Sequence, residues 1–355
     1  MTPRTVIILA AVTAAAVAGA AAAQNVERGN MPEAAGGPLY PGLIDKIDTV
    51  TKIAVDHKDG ALTLVREKGG AWSVPESDGY AANQAQAQKI ILQMANLNKF
   101  EAKTAKPELY DRLHLEDMKK KHTQARRVRL FDAAGKSVAV IIVGKKRYNL
   151  PGALREGAYV RKPGNARTWL AKGEIDVATE TNAWLRKSIL NIREEDVVSI
   201  EIKHPDGEIV SITKSDPKAK HMTLHGIPEG KKLKYDSDPD NIASVVEDLE
   251  LNDVRKAGKF SFDPAKTITA TYTSSSGLIA KLWLTKHDDD EWLKVELMAK
   301  PDAPAPKKGA ESAAETAKRV TSWATGWVFK VPGFKAERLR RRMSDMAVDE
   351  KKPAS

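Results

Sequence analysis

Between Val50 and Gly60 the apolar residues Ile53 and Val55 alternate with Lys52, Ala54 and Asp56, the two-residue period of a half-buried strand. The pattern returns between Val197 and Gly207, with Ile200 and Ile202 in the apolar places. Each copy ends in Asp-Gly, at 59–60 and at 206–207, a hairpin signal because both residue types tolerate the positive φ of a tight turn. In the first copy, Leu62–Arg66 predicts the returning strand and Trp72–Val74 a third. Ile90, Ile91, Met94, Ala95 and Leu97 then recur at helical spacing, and Asn83 is placed to cap that helix. Pro107–Leu113 predicts a short helix. Strands are predicted at Val128–Phe131, Val138–Val143 and Tyr159–Arg161, while Trp169-Leu170 and Trp184-Leu185 are expected in helical segments.

The second half repeats this order. Ile209–Ile212 returns after the turn, and Met222–Leu224 takes the place of the Trp72 strand. Asp238 is the expected cap of a helix with Pro239 in its first turn and Ile242, Val245, Val246 and Leu249 as its stripe. Leu251–Val254 parallels Leu97–Phe100, and a hairpin from Ile268 to Leu284 parallels Val128–Val143. Trp292–Leu297 predicts a further strand, Trp327–Gly333 is expected in the place of Ala158–Gly164, and Phe334–Met346 predicts a last basic helix. Pro301–Ala317, rich in Ala, Pro, Lys and Glu, is expected to be a disordered insertion. The pattern predicts an α+β fold of two tandem related modules, residues 49–190 and 191–346, each a mainly antiparallel sheet backed by helices. Residues 347–355 are expected to form a disordered tail.

One segment has no alternation at all. Val6–Ala23 is a run of roughly 18 uncharged residues, at the lower edge of the 17–25 that cross a bilayer. Arg4 precedes it and Glu27-Arg28 follows, an arrangement that keeps the N-terminus cytoplasmic. Residues 1–24 therefore read as a membrane anchor or a signal peptide, and Ala21-Ala22-Ala23 before Gln24 offers a small-residue cleavage site. Residues 25–48 read as a linker and docking segment, with Gly29, Pro32, Gly36, Gly37 and Pro38 in the flexible part and Leu39–Leu43 docking the first module.

Composition narrows the chemistry. The chain has no cysteine, which excludes disulfides, thiolate catalysis and Cys-ligated zinc. Its net charge is +10, and the basic residues are scattered in short runs, among them residues 119–121, Arg126-Arg127, Lys145–Arg147 and Arg338–Arg342. Scattered charge without a recognisable reading fold, behind an export segment, argues against a nucleic-acid partner. Such runs read first as a solvated basic surface, with contact to anionic lipid headgroups or an acidic glycan as the sharper alternative.

The order of the segments resembles a bacterial family known as domain of unknown function 4340. The resemblance rests on Leu39–Leu43, Leu62–Arg66 with Trp72, Gly79-Tyr80, the stretch from Lys103-Thr104 to Leu113, Val143–Lys145 and Tyr159–Gly164. It implies an N-terminally anchored envelope protein, and some members resemble auxiliary parts of ABC-type export systems linked with gliding motility. It implies no catalytic residues. The alanine-rich N-terminal run and the Pro301–Ala317 insertion depart from the family pattern.

Candidate chemistry is sparse. His221 and His225 share a face of a strand but lie about 13 Å apart there, too far for one metal ion, and zinc needs three or four ligands. His57 and His204 occupy equivalent turns, which favours a turn hydrogen bond over catalysis. The acidic run His287–Glu291 lacks the glycine and alternating oxygens of a calcium loop and reads as a solvated hairpin tip. There is no Gly-rich phosphate loop, His-Glu-x-x-His or Gly-x-Ser-x-Gly motif, so no catalytic, metal or cofactor residue is assigned and no cofactor is expected. The candidate interaction surface comprises Arg126, Arg127, Arg129, Lys145, Lys146, Arg147, Trp323, Trp327, Arg338, Arg340, Arg341 and Arg342.

The leading expectation is a non-enzymatic protein held at the bacterial inner membrane through residues 6–23, with its bulk in the periplasm. It would serve as an accessory or interaction subunit of an ABC-type transport complex. One alternative is a soluble periplasmic module, cleaved near Gln24, that binds an anionic envelope polymer. Another is a hydrolase whose site is assembled from distant residues.

Overall fold

The computed structural model describes residues 36–118, 123–151, 156–216 and 219–350. The apolar run 6–23, the cleavage site before Gln24 and the lysines at 119–121 lie outside the described residues. Among the described residues no helix is long and apolar enough to cross a membrane.

The first alternating segment forms β1 (Val50–His57), which turns at Asp59-Gly60 into β2 (Gly60–Arg66). β3 (Trp72–Val74), β4 (Tyr80–Ala81), α1 (Gln84–Asn96) and β5 (Asn98–Ala102) follow. The Asn83 side chain accepts from the Gln86 amide at 3.2 Å, closing the start of α1, and Ile90, Ile91 and Met94 are buried along it. Next come β6 (Arg126–Asp132), β7 (Ser137–Arg147), β8 (Gly157–Arg161) and β9 (Thr168–Lys172). The chain continues through β10 (Ser188–Leu190), β11 (Val197–Lys203), β12 (Ile209–Thr213), β13 (Thr223–Leu224) and β14 (Lys231–Leu233). α2 (Asp238–Ala243), β15 (Leu249–Glu250), β16 (Asp253–Lys256), β17 (Ile268–Ser274), β18 (Leu278–His287) and β19 (Asp290–Ala299) precede α3 (Ala313–Ala324). β20 (Trp327–Lys330), α4 (Gly333–Arg340), α5 (Met343–Met346) and β21 (Ala347–Asp349) complete the described chain.

The architecture is α+β, mostly antiparallel sheet with few helices. One sheet has the order β4-β3-β2-β1-β6-β7-β8-β9-β5, and a second has β13-β12-β11-β17-β18-β19-β20-β16. With β4 set aside, the two orders are the same element for element: β1 stands where β11 does, β6 where β17 does, and the edge strand β5 where β16 does. Two small pairs, β10-β15 and β14-β21, complete the strands. The chain divides into two compact units. The first holds the described residues up to Thr63 with Ala87–Val177, and the second holds Leu64–Gln86 with the described residues from Ala178 onward.

Alternation along each strand decides which side chains form the core. In the second unit Ile200, Ile202, Ala270, Tyr272, Ala280, Leu282, Leu284, Leu293 and Val295 are buried on one face. Lys203, Thr269, Lys281, Trp283 and Lys294 occupy the other. In the first unit the second face is partly covered: Tyr110, Leu115, Ala125 and Ile142 form a buried cluster, with Leu113, Met118 and Tyr159 packed against it. Gly144 permits that cover, because a Cβ there would lie 2.1 Å from the Leu113 carbonyl oxygen.

Several expectations are corrected. Trp169-Leu170 lies in β9, not in a helix, and Trp184 closes a 3₁₀ turn at Thr181–Trp184. Short apolar runs fit either period, and pairing with β8 and β5 settles this one. Pro107–Leu113 forms two 3₁₀ turns rather than one helix. The end of the expected disordered insertion is ordered: Ser312 caps α3 through a capping box with Glu315, so residues from Ala313 onward are helical. β20 pairs with β19 and β16, which puts it in the place of β9, while β19 takes the place expected for Trp327–Gly333. Asp238 is the first residue of α2 and makes no cap bond. The last basic helix is broken into α4 and α5. The expected tail from residue 347 begins as a strand, since Ala347–Asp349 pairs with Lys231–Leu233. That partner is too distant in sequence for composition to reveal it.

Candidate functional site

The arginines expected to form a basic surface are mostly engaged within the chain. Arg127 and Arg129, two apart on β6, both donate to Asp56 on the neighbouring β1, at 2.9 and 3.0 Å. Arg126 is half-buried, and Lys145 and Arg147 are exposed at the end of β7, where Lys146 pairs with Asp176 at 2.8 Å. The C-terminal arginines act as a clamp. Arg338 donates to the Ser244 hydroxyl at 2.7 Å. Arg340 donates twice to Glu291, at 3.0 and 2.7 Å, the fork geometry that suits a carboxylate. Arg341 donates to the buried carboxylate of Asp238, and Arg342 reaches Asp206 and Glu208 in the β11–β12 turn. The Arg342 guanidinium holds Asp206 below the usual carboxylate range. Lys335 completes the clamp by donating to the carbonyls of Ser244 and Glu247 at 2.6 and 2.7 Å.

Trp323 and Trp327 also face partners of their own chain. Trp327 stands edge-on to Tyr80 at 5.0 Å, with the Lys256 ammonium 4.1 Å from its ring. Trp323 meets Phe329 at 5.9 Å and carries the Arg186 guanidinium at 3.9 Å. Alternation within β20 puts Trp327 and Phe329 on one face, but Tyr80 on β4 and Arg186 before β10 reach the aromatics by tertiary packing that no local pattern announces.

The structure assembles a basic and aromatic face elsewhere, from residues that periodicity did not single out. Lys203 on β11 stands opposite Thr269 on β17, Thr269 opposite Trp283 on β18, and Trp283 opposite Lys294 on β19. These four form one row across four adjacent strands, on the face turned from the core. The Lys281 and Lys294 ammoniums lie 5.0 and 4.7 Å from the Trp283 ring centroid, drawn to the negative face of the indole. Phe262 and Pro264, from the connection before β17, wall an open cavity of about 400 Å³ that Lys203, His204, Trp283 and Lys294 also line. No carboxylate lines it among the described residues. Glu201 pairs with Lys203 at 3.1 Å, whereas Lys281 and Lys294 make no ion pair among the described residues, although Glu296 stands opposite Lys281 in register. The signal in the sequence was the alternation of Leu278–Leu284, which puts Lys281 and Trp283 on one face. Their cross-strand neighbours could not be read from it.

A second polar basin lies in the same unit. His221 donates from Nδ1 to Asp240 at 2.5 Å, and the other Asp240 oxygen accepts the Met222 amide at 2.8 Å. Glu194, Lys214, Lys220 and Glu247 line this cavity of about 420 Å³ with Asp240. Burial first, then the charges of Asp240 and Glu247, raise the Glu194 carboxyl. The two bonds tie the segment before β13 to the start of α2. His225 turns instead to Thr213, at 2.6 Å, and among the described residues no group of His, Asp and Glu could hold a metal ion. His57 accepts from the Asp59 amide at 3.3 Å within its turn, and buried His204 bonds the Arg341 carbonyl at 3.2 Å.

Fold and face together define an antiparallel α+β protein that presents a cation-rich, aromatic-floored groove on an open sheet. The chain belongs to the family described as Domain of unknown function (DUF4340), whose model matches residues 72–273, more than half of its 355 residues. No curated protein and no solved structure matches it.

Proposed function

We propose that the protein is a membrane-tethered, periplasm-facing accessory subunit that acts by binding partners rather than by catalysis, and that it serves an ABC-type transport complex at the bacterial inner membrane. The observation that carries this reading is the uncharged run Val6–Ala23, joined by a Gly- and Pro-bearing linker to a fixed entry point in the first unit. At that point the Gly36 amide donates to the Lys99 carbonyl at 2.9 Å, the Lys99 amide to Gly37 at 3.0 Å and the Leu39 amide to Leu97 at 2.6 Å. The incoming chain thereby pairs antiparallel along the free edge of β5, and Leu39 is 1 % exposed. A chain fixed in this way transmits a tether to a folded unit instead of hanging from it. The shared strand order of the two large sheets supports a further part of the reading: the modules arose by tandem duplication.

Crosslinking in isolated envelopes, followed by mass spectrometry, tests the assignment. Recovery of an intact N-terminal peptide together with ABC permease subunits is the expected result. A mature N-terminus near Gln24, with the protein in the soluble fraction and no transporter subunit attached, overturns it.

A further inference from the structure

The two large sheets carry the same row of positions with opposite fates. In the first, Asp56, Arg127, Ile142 and Arg161 stand opposite one another across β1, β6, β7 and β8. Asp56 neutralises Arg127, Ile142 is buried beneath Tyr110 and Leu115, and Arg161 donates to the Leu115 carbonyl at 3.2 Å. In the second, the equivalent places hold Lys203, Thr269, Trp283 and Lys294. Here the connection before β17 contributes Phe262 and Pro264 to the walls but leaves the row open as a groove. A position closed by apolar packing in one sheet is thus open, aromatic and cationic in the other.

We propose that this groove binds an acidic saccharide chain, its carboxylates on Lys294, Lys281 and Lys203 and its ring bodies against Trp283, Phe262 and Pro264. Three observations select that chemistry. The cations of the row span three strand spacings, about 14 Å, more than one small anion bridges and suited to charge repeated along a chain. Its donors are lysine ammoniums and threonine hydroxyls, since the strand backbones beneath are already paired with neighbours. A peptide that docks by strand addition therefore finds no backbone partner there, whereas a hydroxyl-rich, carboxylated ligand finds both kinds of group. The walls are apolar rings, which a free phosphate would not use. This inference does not depend on the tether or on any transporter, and a failed crosslink would leave it standing.

Calorimetric titration of the purified full-length chain tests it, with tetragalacturonate as the probe at low and at physiological salt. Binding that weakens with salt, and that falls at least tenfold in the double variant Lys281→Gln/Lys294→Gln and in Trp283→Ala, is expected. Lys318→Gln, an exposed lysine on α3, should bind as wild type does. Unfolding midpoints of the variants, expected to match that of the unchanged protein, check that a loss of binding is not a loss of folding. No binding at low salt overturns the proposal, as does equal loss in Lys318→Gln. Binding of maltotetraose, poly-glutamate or phosphatidylglycerol vesicles at equal or higher affinity also overturns it, by pointing to a neutral glycan, a peptide or a membrane instead.

Discussion

At the scale of single residues, close approach and burial set the sensitive positions. Gly144 lies beneath the Leu113 and His114 carbonyls, and an added Cβ would stand 2.1 and 2.8 Å from them. Backbone cannot yield as a flexible side chain can, so Gly144→Ala should destabilise by about 1–3 kcal/mol or more in urea unfolding. Gly258, with nothing within 4 Å of its Cβ position, is the matched control and should tolerate alanine. An unchanged midpoint for Gly144→Ala would show that the turn above it does not rest on β7. Asp238 is 2 % exposed and is paired with Arg341. Arg341→Met should cost about 3–5 kcal/mol, because it leaves a buried carboxylate without its cation. Pairing it with Asp238→Asn should recover much of that loss, and a double variant as unstable as the single one would refute the assignment. None of this was legible in the sequence: Asp238 read as a helix cap and Arg341 as free surface charge.

At the scale of elements, the C-terminal segment α4–α5–β21 is held by polar contacts, and one of them titrates. Burial first, and then the nearby Arg342 charge, hold the His204 imidazole below its ordinary value of 6.5, while its bond to the Arg341 carbonyl works against them. The folded state therefore prefers the neutral ring. Its contribution to stability is complete above about pH 6.5 and is lost as pH falls from there toward the depressed folded value, because the unfolded chain then binds more protons. The urea midpoint should drop between pH 7.5 and 5.5, and His204→Gln should flatten that dependence. Glu194, raised by burial, acts in the opposite sense, which is why the variant and not the raw slope decides the matter. Equal slopes in both proteins would remove His204 from the account. The strands themselves were largely visible as alternation, and α1 as a stripe with its Asn83 cap. The 3₁₀ turns, the start of α3 and the strand β21 were not, since their stability comes from caps and partners beyond the local window.

At the scale of the whole molecule, the proposed tether and the folded units can be tested separately, because residues 36–39 are already fixed on the first unit. Removal of residues 1–24 should shift the protein from the membrane to the soluble fraction of a cell lysate while leaving its urea midpoint unchanged. The hydrogen bonds of Gly36, Gly37 and Leu39 to the β5 edge survive that deletion. A lowered midpoint would mean that the N-terminal run contributes to the fold. Continued sedimentation with membranes would mean that the folded units bind the bilayer themselves. The positive net charge also takes on a different meaning at this scale. Much of the C-terminal basic run is spent on Asp206, Glu208, Asp238 and Glu291, and the cations left over the Trp283 ring come from separate strands.

The sequence by itself determined the local periods: which segments alternate, which carry a helical stripe, where Asp-Gly turns fall, and that one N-terminal run is long, apolar and uncharged. It also carried the family, which is written in the order of segments. Only the tertiary structure decided register, and register decided which side chains meet. It set Arg127 and Arg129 on Asp56, Arg341 on Asp238, and Lys203, Trp283 and Lys294 in one row. Alternation tells which face a side chain takes, but its neighbours on that face belong to other strands, and a shift of one residue would exchange them all.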